Sequence, residues 1–322
     1  MSSFKIRIVV LVCLIVLLFG GGIFWWQLSL SAINPADKKP RIFVIQKGDG
    51  VREIATRLKN DGLIRDQIAF FLLVKINNLD QKLQAGDYRL SPSMDVTALA
   101  QVLTKGMNDI WITILEGWRD EEIALKFAAD LSIPENQFLK YAQEGRMFPD
   151  TYLIPKESTA GAVVQILKEN FNNKFTSELQ KEATKTGLTV NQVLILASIV
   201  EKEASGEKDR SVIAGILLKR LKKDWPLQVD ATVQYALGYQ PEERSWWKKA
   251  ITNFDKKIKS PYNTYENTGL PPGPICNPGL ASIGAAVSPQ DSVYWFYLHD
   301  PEGNVHYAKT MEEHEANIAK YL

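Results

Sequence analysis

Residues Val193 to Glu203 read VLILASIVEKE, an apolar run broken only by Ser198 that ends abruptly in Glu201, Lys202 and Glu203. A helix that is apolar on every side offers no face to water, so the rest of the chain has to be built around it. Thr189-x-x-Gln192, directly before the run, is a capping box and predicts a helix start at about Thr189. Glu201 lies four residues after Ala197 and seven after Leu194, and Glu203 falls on the stripe of Leu196 and Ile199. Desolvation favours the protonated form of a carboxyl delivered to the edge of a core, and that form is what a general acid needs. On helix pattern alone, an ion pair of Glu201 with Lys202, Arg210 or Arg220 is the commoner alternative.

The 322 residues suffice for a membrane anchor and two folded units. A net charge of +1 provides no global field for nucleic acid, which is not expected as a partner. Ile8 to Trp26 carries no charge, and its 19 residues would reach roughly 28 Å as a helix, about the thickness of a bilayer's hydrocarbon. Trp25 and Trp26 stand where interfacial aromatics are expected, and Lys5 and Arg7 precede the run. The expectation is a single-pass helix over 8–26 in the cytoplasmic (inner) membrane, with residues 1–7 in the cytoplasm and the remainder outside. A cleaved signal peptide competes with it, although the small residues from Ser29 to Ala32 make a mediocre cleavage site. Cys13 and Cys276 cannot pair if the former is in lipid, so no disulfide framework is expected. No Cys or His cluster has zinc spacing, and His299, His306 and His314 read as solvated or structural.

Residues 27–40 read as a polar linker with Pro35 and Pro40. A small unit over 41–106 follows. It has a strand at Ile42 to Gln46 and a turn with Asp49 as N-cap. Helices are capped by Asp49, Asp66 and Asp95, and a returning strand is expected at Ala85 to Leu90. Val44-x-x-x-Gly48-Asp49 followed by Ile54-Ala55 is similar to the opening of LysM modules, which bind N-acetylglucosamine-containing glycans. A spacer that binds nothing explains the same residues as turn and cap.

In residues 107–322 a strand is expected at Ile110 to Leu115 and helices at Glu121 to Asp130 and Glu135 to Gln143. A loop at Gly145 to Tyr152 and one long helix from Ala160 to Thr184 follow. Asp209 to Leu221 reads as a helix. Gln228, Asp230 and Thr232 alternate, which predicts an extended edge over Leu227 to Leu237. Val293 to Leu298 pairs with Val305 to Tyr307, and Met311 to Leu322 is a helix. Ser260 to Pro278 is a proline-rich loop too stiff for a linker, and long ordered loops tend to line sites. The expected fold class is α+β: an N-terminal transmembrane helix, a small LysM-like βααβ domain and a larger α+β catalytic domain.

Five motifs now combine: FPDTY at Phe148 to Tyr152, ASIVEKE at Ala197 to Glu203, Gln228-Val229-Asp230, Tyr262-Asn263-Thr264-Tyr265, and Gly269-Leu270-Pro271-Pro272-Gly273-Pro274-Ile275 with Asn277-Pro278-Gly279. In this order they resemble the membrane-bound endolytic murein transglycosylases of the YceG-like family. That resemblance implies cleavage of the β-1,4 bond between N-acetylmuramic acid and N-acetylglucosamine in nascent peptidoglycan, leaving 1,6-anhydro-muramyl ends. It also implies that the first Glu of the triplet, Glu201, is catalytic, with no metal or organic cofactor. One carboxyl can act as acid and then base, whereas hydrolases of glycosidic bonds usually need two. Gln228, Asp230, Tyr262, Asn263, Tyr265 and Glu203 are the candidate substrate-binding residues, through hydrogen bonds to N-acetyl or hydroxyl groups and stacking on sugar rings. Asp230 and Glu203 are also possible second carboxylates. The expected partners are glycan strands, the lipid bilayer and peptidoglycan synthases. Two other readings stay open: a non-catalytic glycan-binding anchor that recruits synthases, and a conventional hydrolase using Asp230.

Overall fold

A computed structural model describes residues 3–106, 109–204 and 206–322, and the side chains of all of these except 3–16, 207 and 208. The chain divides into two units, Met1–Ile110 and Trp111–Leu322.

The first unit opens with α1 (Ser3–Leu30). The expected span Ile8–Trp26 falls partly on residues 8–16, whose side chains lie outside the described residues. Among the described residues no helix is long and apolar enough to cross a membrane. Trp26 and Leu30, at the end of α1, pack against the core of this unit. Residues after α1 are strapped to the same unit rather than running free: Arg65 Nη2 donates to the carbonyls of Ala32 and Ile33, and Ser93 N to that of Asp37.

The unit continues as β1 (Arg41–Ile45), α2 (Val51–Asn60), α3 (Gln67–Ile76), β2 (Gly86–Leu90) and α4 (Val96–Lys105). The two strands are antiparallel, with Phe43 opposite Tyr88. Alternation in β1 turns Phe43 and Ile45 onto Ile54, Leu58, Phe70 and Leu99. Asp66 and Asp95 cap α3 and α4 through their side chains. Asp49 is not a cap: Gly50 holds that position, while the Asp49 carboxylate accepts from Gln46 N at 2.7 Å and pairs with Arg57.

The second unit, which the chain enters within β3 (Asp109–Thr113), contains α5 (Asp120–Leu131), α6 (Glu135–Leu139), β4 (Thr151–Pro155), α7 (Ala160–Lys174), α8 (Ser177–Thr184) and α9 (Val190–Glu203). After these come α10 (Glu207–Lys222), α11 (Asp230–Leu237), α12 (Leu280–Val287), β5 (Phe296–His299), β6 (Val305–Ala308) and α13 (Met311–Tyr321). The capping box is present, and Thr189 and Gln192 satisfy each other's backbone N–H groups at the head of α9. Val193 to Val200 are all buried, and α8, α10, α11 and α12 surround α9. At roughly 1.5–3 kcal/mol for each fully buried aliphatic side chain, this helix anchors the unit. Buried Ser198 stitches the proline-rich loop to it. Its Oγ donates to Ile195 O and accepts from Ile275 N at 3.0 Å.

Three sequence expectations fail here. Asp230–Leu237 is a helix, not an extended edge, because Ala231, Thr232 and Val233 turn inward while Asp230 and Gln234 recur one turn apart on the outer side. The long helix from Ala160 breaks at buried Phe175, since Thr176 caps a new helix through Leu179 N. Part of the expected loop at Gly145 to Tyr152 is the start of β4, which pairs with β3.

Candidate active site

Residues two apart on a helix point about 200° away from one another, so Glu201 and Glu203 cannot face the same surroundings. The structure separates them. Glu203 lines a cavity of about 460 Å³ together with Arg220, Gln228, Asp230, Lys256, Tyr265 and Tyr297. Glu201 is not among its lining residues.

Each wall of the cavity has a local cause. Gln228 adopts φ 53°, a left-handed turn that reverses the chain just before α11. Its N–H donates to Thr264 O at 3.1 Å, while Val229 N donates to Thr264 Oγ1 at 3.0 Å. Thr264 Oγ1 also lies 2.9 Å from Thr232 Oγ1. These bonds tie the Tyr-Asn-Thr-Tyr loop to the head of α11, so Tyr265 Oη donates to Asp230 Oδ1 at 2.6 Å. Lys256 Nζ lies 3.3 Å from the same oxygen. The opposite wall is β5, whose Tyr297 Oη donates to Glu203 Oε2 at 2.9 Å. Arg220 packs against Trp225 and Phe296, its donors spent on the carbonyls of Leu227 and Trp295.

The electrostatics follow from this placement. Burial, reinforced by the negative charge of Asp230, raises the Glu203 carboxyl to about 7, against the opposing pull of the Tyr297 hydrogen bond. Burial also drives the Tyr297 phenol upward, so it stays a donor. A carboxyl that is half protonated near neutrality, in a cavity with polar walls, can give a proton to a bound oxygen and take one back.

Glu201 occupies a different setting. Its side chain is 7% exposed, its Oε2 accepts from Gly279 N at 2.9 Å, and its Oε1 lies 3.9 Å from Arg210 Nη2. Glu116 sits beside it, its carboxyl raised by burial and then by the Glu201 charge. A Cβ at Gly279 would run into the Glu116 carboxylate, so a larger residue there would have to displace that side chain.

The structure thus brings together Glu203, Gln228, Asp230 and Tyr265 and leaves out Glu201, Tyr262 and Asn263. Asn263 is fully buried. Its Nδ2 donates to Lys256 O and Ile258 O, each at 2.9 Å, and its Oδ1 accepts from Tyr265 N. It shapes the loop and has no donor left for a ligand. Tyr262 packs at a tilt against Tyr235, with centroids 4.7 Å apart, and lines a second cavity of about 270 Å³ with Glu144 and Gly273. Near that cavity, Asn277 Nδ2 donates to Asp120 Oδ1 and Glu144 Oε1, both at 3.0 Å. Burial raises Asp120 to about 6 and Glu144 well above the usual carboxylate range.

Sequence reasoning missed Tyr297, offered Arg220 only as an ion-pair partner for Glu201, and set aside His299 and His314, which also line the larger cavity. The outward alternation of Tyr297 within VYWFYL was the available signal for the first. Nothing local marks the others.

The profile of the YceG-like family matches residues 43–320. The chain is 33% identical to a protein of Bacillus subtilis (strain 168) named endolytic murein transglycosylase, covering 94% of this chain and 91% of that protein. It is 30% identical to a protein of the same name from Streptococcus pneumoniae (serotype 2, strain D39), covering 100% of this chain and 66% of the relative. The crystal structure of a yceG-like protein from Listeria monocytogenes superposes with a TM-score of 0.59 at 31% identity, covering 87% of this chain and 99% of that one.

Proposed function

Because the chain belongs to the YceG-like family, we propose that it is an endolytic murein transglycosylase with Glu203 as its acid and base. The substrate is the nascent peptidoglycan strand. The bond cut is the β-1,4 link from N-acetylmuramic acid to N-acetylglucosamine, and cutting it ends strand elongation.

One observation carries the choice of residue: among Glu201 and Glu203, it is Glu203 that opens on the polar cavity, with a carboxyl raised to about 7. Protonated Glu203 gives its proton to the glycosidic oxygen as the bond to C1 breaks. The glutamate then takes the proton of the muramyl 6-hydroxyl as that oxygen closes on C1, which forms the 1,6-anhydro ring and restores the acid. Asp230, partly exposed in the same cavity, offers negative charge to the oxocarbenium-like centre. Gln228 and Tyr265 supply polar contacts to the sugars. Glu201, occupied by Gly279 N–H and Arg210, is assigned to holding the loop.

The uncharged stretch Ile8–Trp26 supports a single-pass anchor with residues 1–7 in the cytoplasm and the catalytic unit outside. The 41–106 unit, with its βααβ order, supports a LysM-like role in holding glycan or docking synthases.

The decisive experiment digests murein with Glu203→Gln and Glu201→Gln and weighs the products by mass spectrometry. Loss of anhydro-muropeptides in the first and retention in the second is the expected result, and the reverse pattern would return the role to Glu201. The presence of Asp230 beside Glu203 favours one second reading, a two-carboxylate hydrolase. Oxygen from labelled water in the product would establish that reading instead.

A further inference from the structure

The far wall of the Glu203 cavity is built from the last segment of the chain. Met311, His314 and Ile318 of α13 line it, followed by Leu322. These three helix positions share one face at i, i+3 and i+7 spacing. No residue of α13 is buried, so this face is not consumed by the core. Leu298 and His299 of β5 complete the wall.

Two features of this wall have no internal explanation. His299 Nε2 and His314 Nδ1 are buried ring nitrogens without a hydrogen-bond partner. Buried polar groups are nearly always paired, so each of these nitrogens calls for a partner that the chain itself does not supply, a bound water or a ligand group. His314 is also fixed in place, stacked on Phe296 with centroids 5.2 Å apart and planes 20° apart. Burial lowers the affinity of both rings for a second proton, so each remains a neutral imidazole that can donate or accept. Beside these nitrogens stand Met311, Ile318 and Leu322, apolar side chains left partly in contact with solvent.

A hydroxyl would answer the ring nitrogens but waste the apolar surface, and an alkyl group would do the reverse. An acetamido group presents both, an amide with a donor and an acceptor and a terminal methyl. We infer that the α13 wall is the part of the site that recognises the N-acetyl groups of the glycan, with His314 and His299 on the amide and Ile318 and Met311 on the methyl. The inference rests on the reading that this cavity takes glycan, and it makes α13 a specificity element instead of a terminal appendage.

The test measures equilibrium binding to the full chain of an N-acetylglucosamine tetramer and of its N-formyl counterpart, which keeps the amide and lacks the methyl. The wild type is expected to bind the acetyl form about tenfold more tightly. Ile318→Ser should remove that preference, and His314→Phe should weaken both oligomers roughly tenfold. Lys320→Gln, on the opposite face of the helix, should change neither. Equal binding of the two oligomers by the wild type, no binding at all, or unaltered behaviour of both Ile318→Ser and His314→Phe would overturn the inference. If the binding pattern holds while murein yields no anhydro ends, the proposed chemistry falls and the recognition of N-acetyl groups stands.

Discussion

Tyr297 Oη donates a 2.9 Å hydrogen bond to Glu203 Oε2, joining the C-terminal end of the central helix to a strand 94 residues further along the chain. The bond favours the charged carboxylate, whereas burial and the Asp230 charge favour the protonated form. Glu203 therefore sits at a balance point, and that balance can be moved in either direction.

Tyr297→Phe removes the bond that favours ionisation, so the Glu203 carboxyl should rise further. The alkaline limb of kcat/KM is expected to move to higher pH, with kcat falling about tenfold as the carboxyl loses its orientation. Asp230→Asn removes the neighbouring charge, and the same limb should move to lower pH. Shifts of the same sign in the two variants would contradict this account.

Glu203→Gln should change stability with a defined sign. The folded carboxyl, at about 7, holds its proton where the unfolded one, near its ordinary value of 4.5, has lost it. The wild type therefore has its full stability below about pH 4.5 and loses some of it as pH rises through 7. The glutamine variant escapes that loss. Its unfolding free energy relative to wild type, read from urea titrations, is expected to climb between pH 5 and pH 8 by an amount on the order of 2 kcal/mol.

Glu201→Ala leaves Gly279 N–H without its acceptor and Arg210 without its neighbouring charge. Denaturant titration should show a loss of about 1–3 kcal/mol. The pH dependence of cleavage should be unaltered, since this carboxylate lies outside the cavity.

Asn277→Ala withdraws the amide that bridges Asp120 and Glu144. Both carboxyls are raised by burial, so folding already weakens as pH rises through about 6. Without the donor the ionised forms are still less tolerated. The variant is expected to lose about 1–3 kcal/mol near pH 5 and more at pH 8, as urea midpoints would record.

The sequence by itself determined the central helix and its start, because the capping box and an apolar run of this length are local signals. It also determined the βααβ order of the first unit and the pairing of β5 with β6, where alternation and turn residues suffice. The break at Thr176 was legible in its cap but was outweighed by a continuing apolar period. Asn263 looked like a sugar ligand by residue type, and only the fold shows its amide spent on Lys256 and Ile258. The partners of the two carboxylates of the Glu-Lys-Glu triplet were likewise not legible locally, since both end the same helix. Tertiary structure separates the two by direction. A rotation of about 200° sends Glu201 to Gly279 and Arg210, and Glu203 to Tyr297 and the cavity. Those partners lie far along the chain, and the desolvation and charge they impose exist only once it has folded.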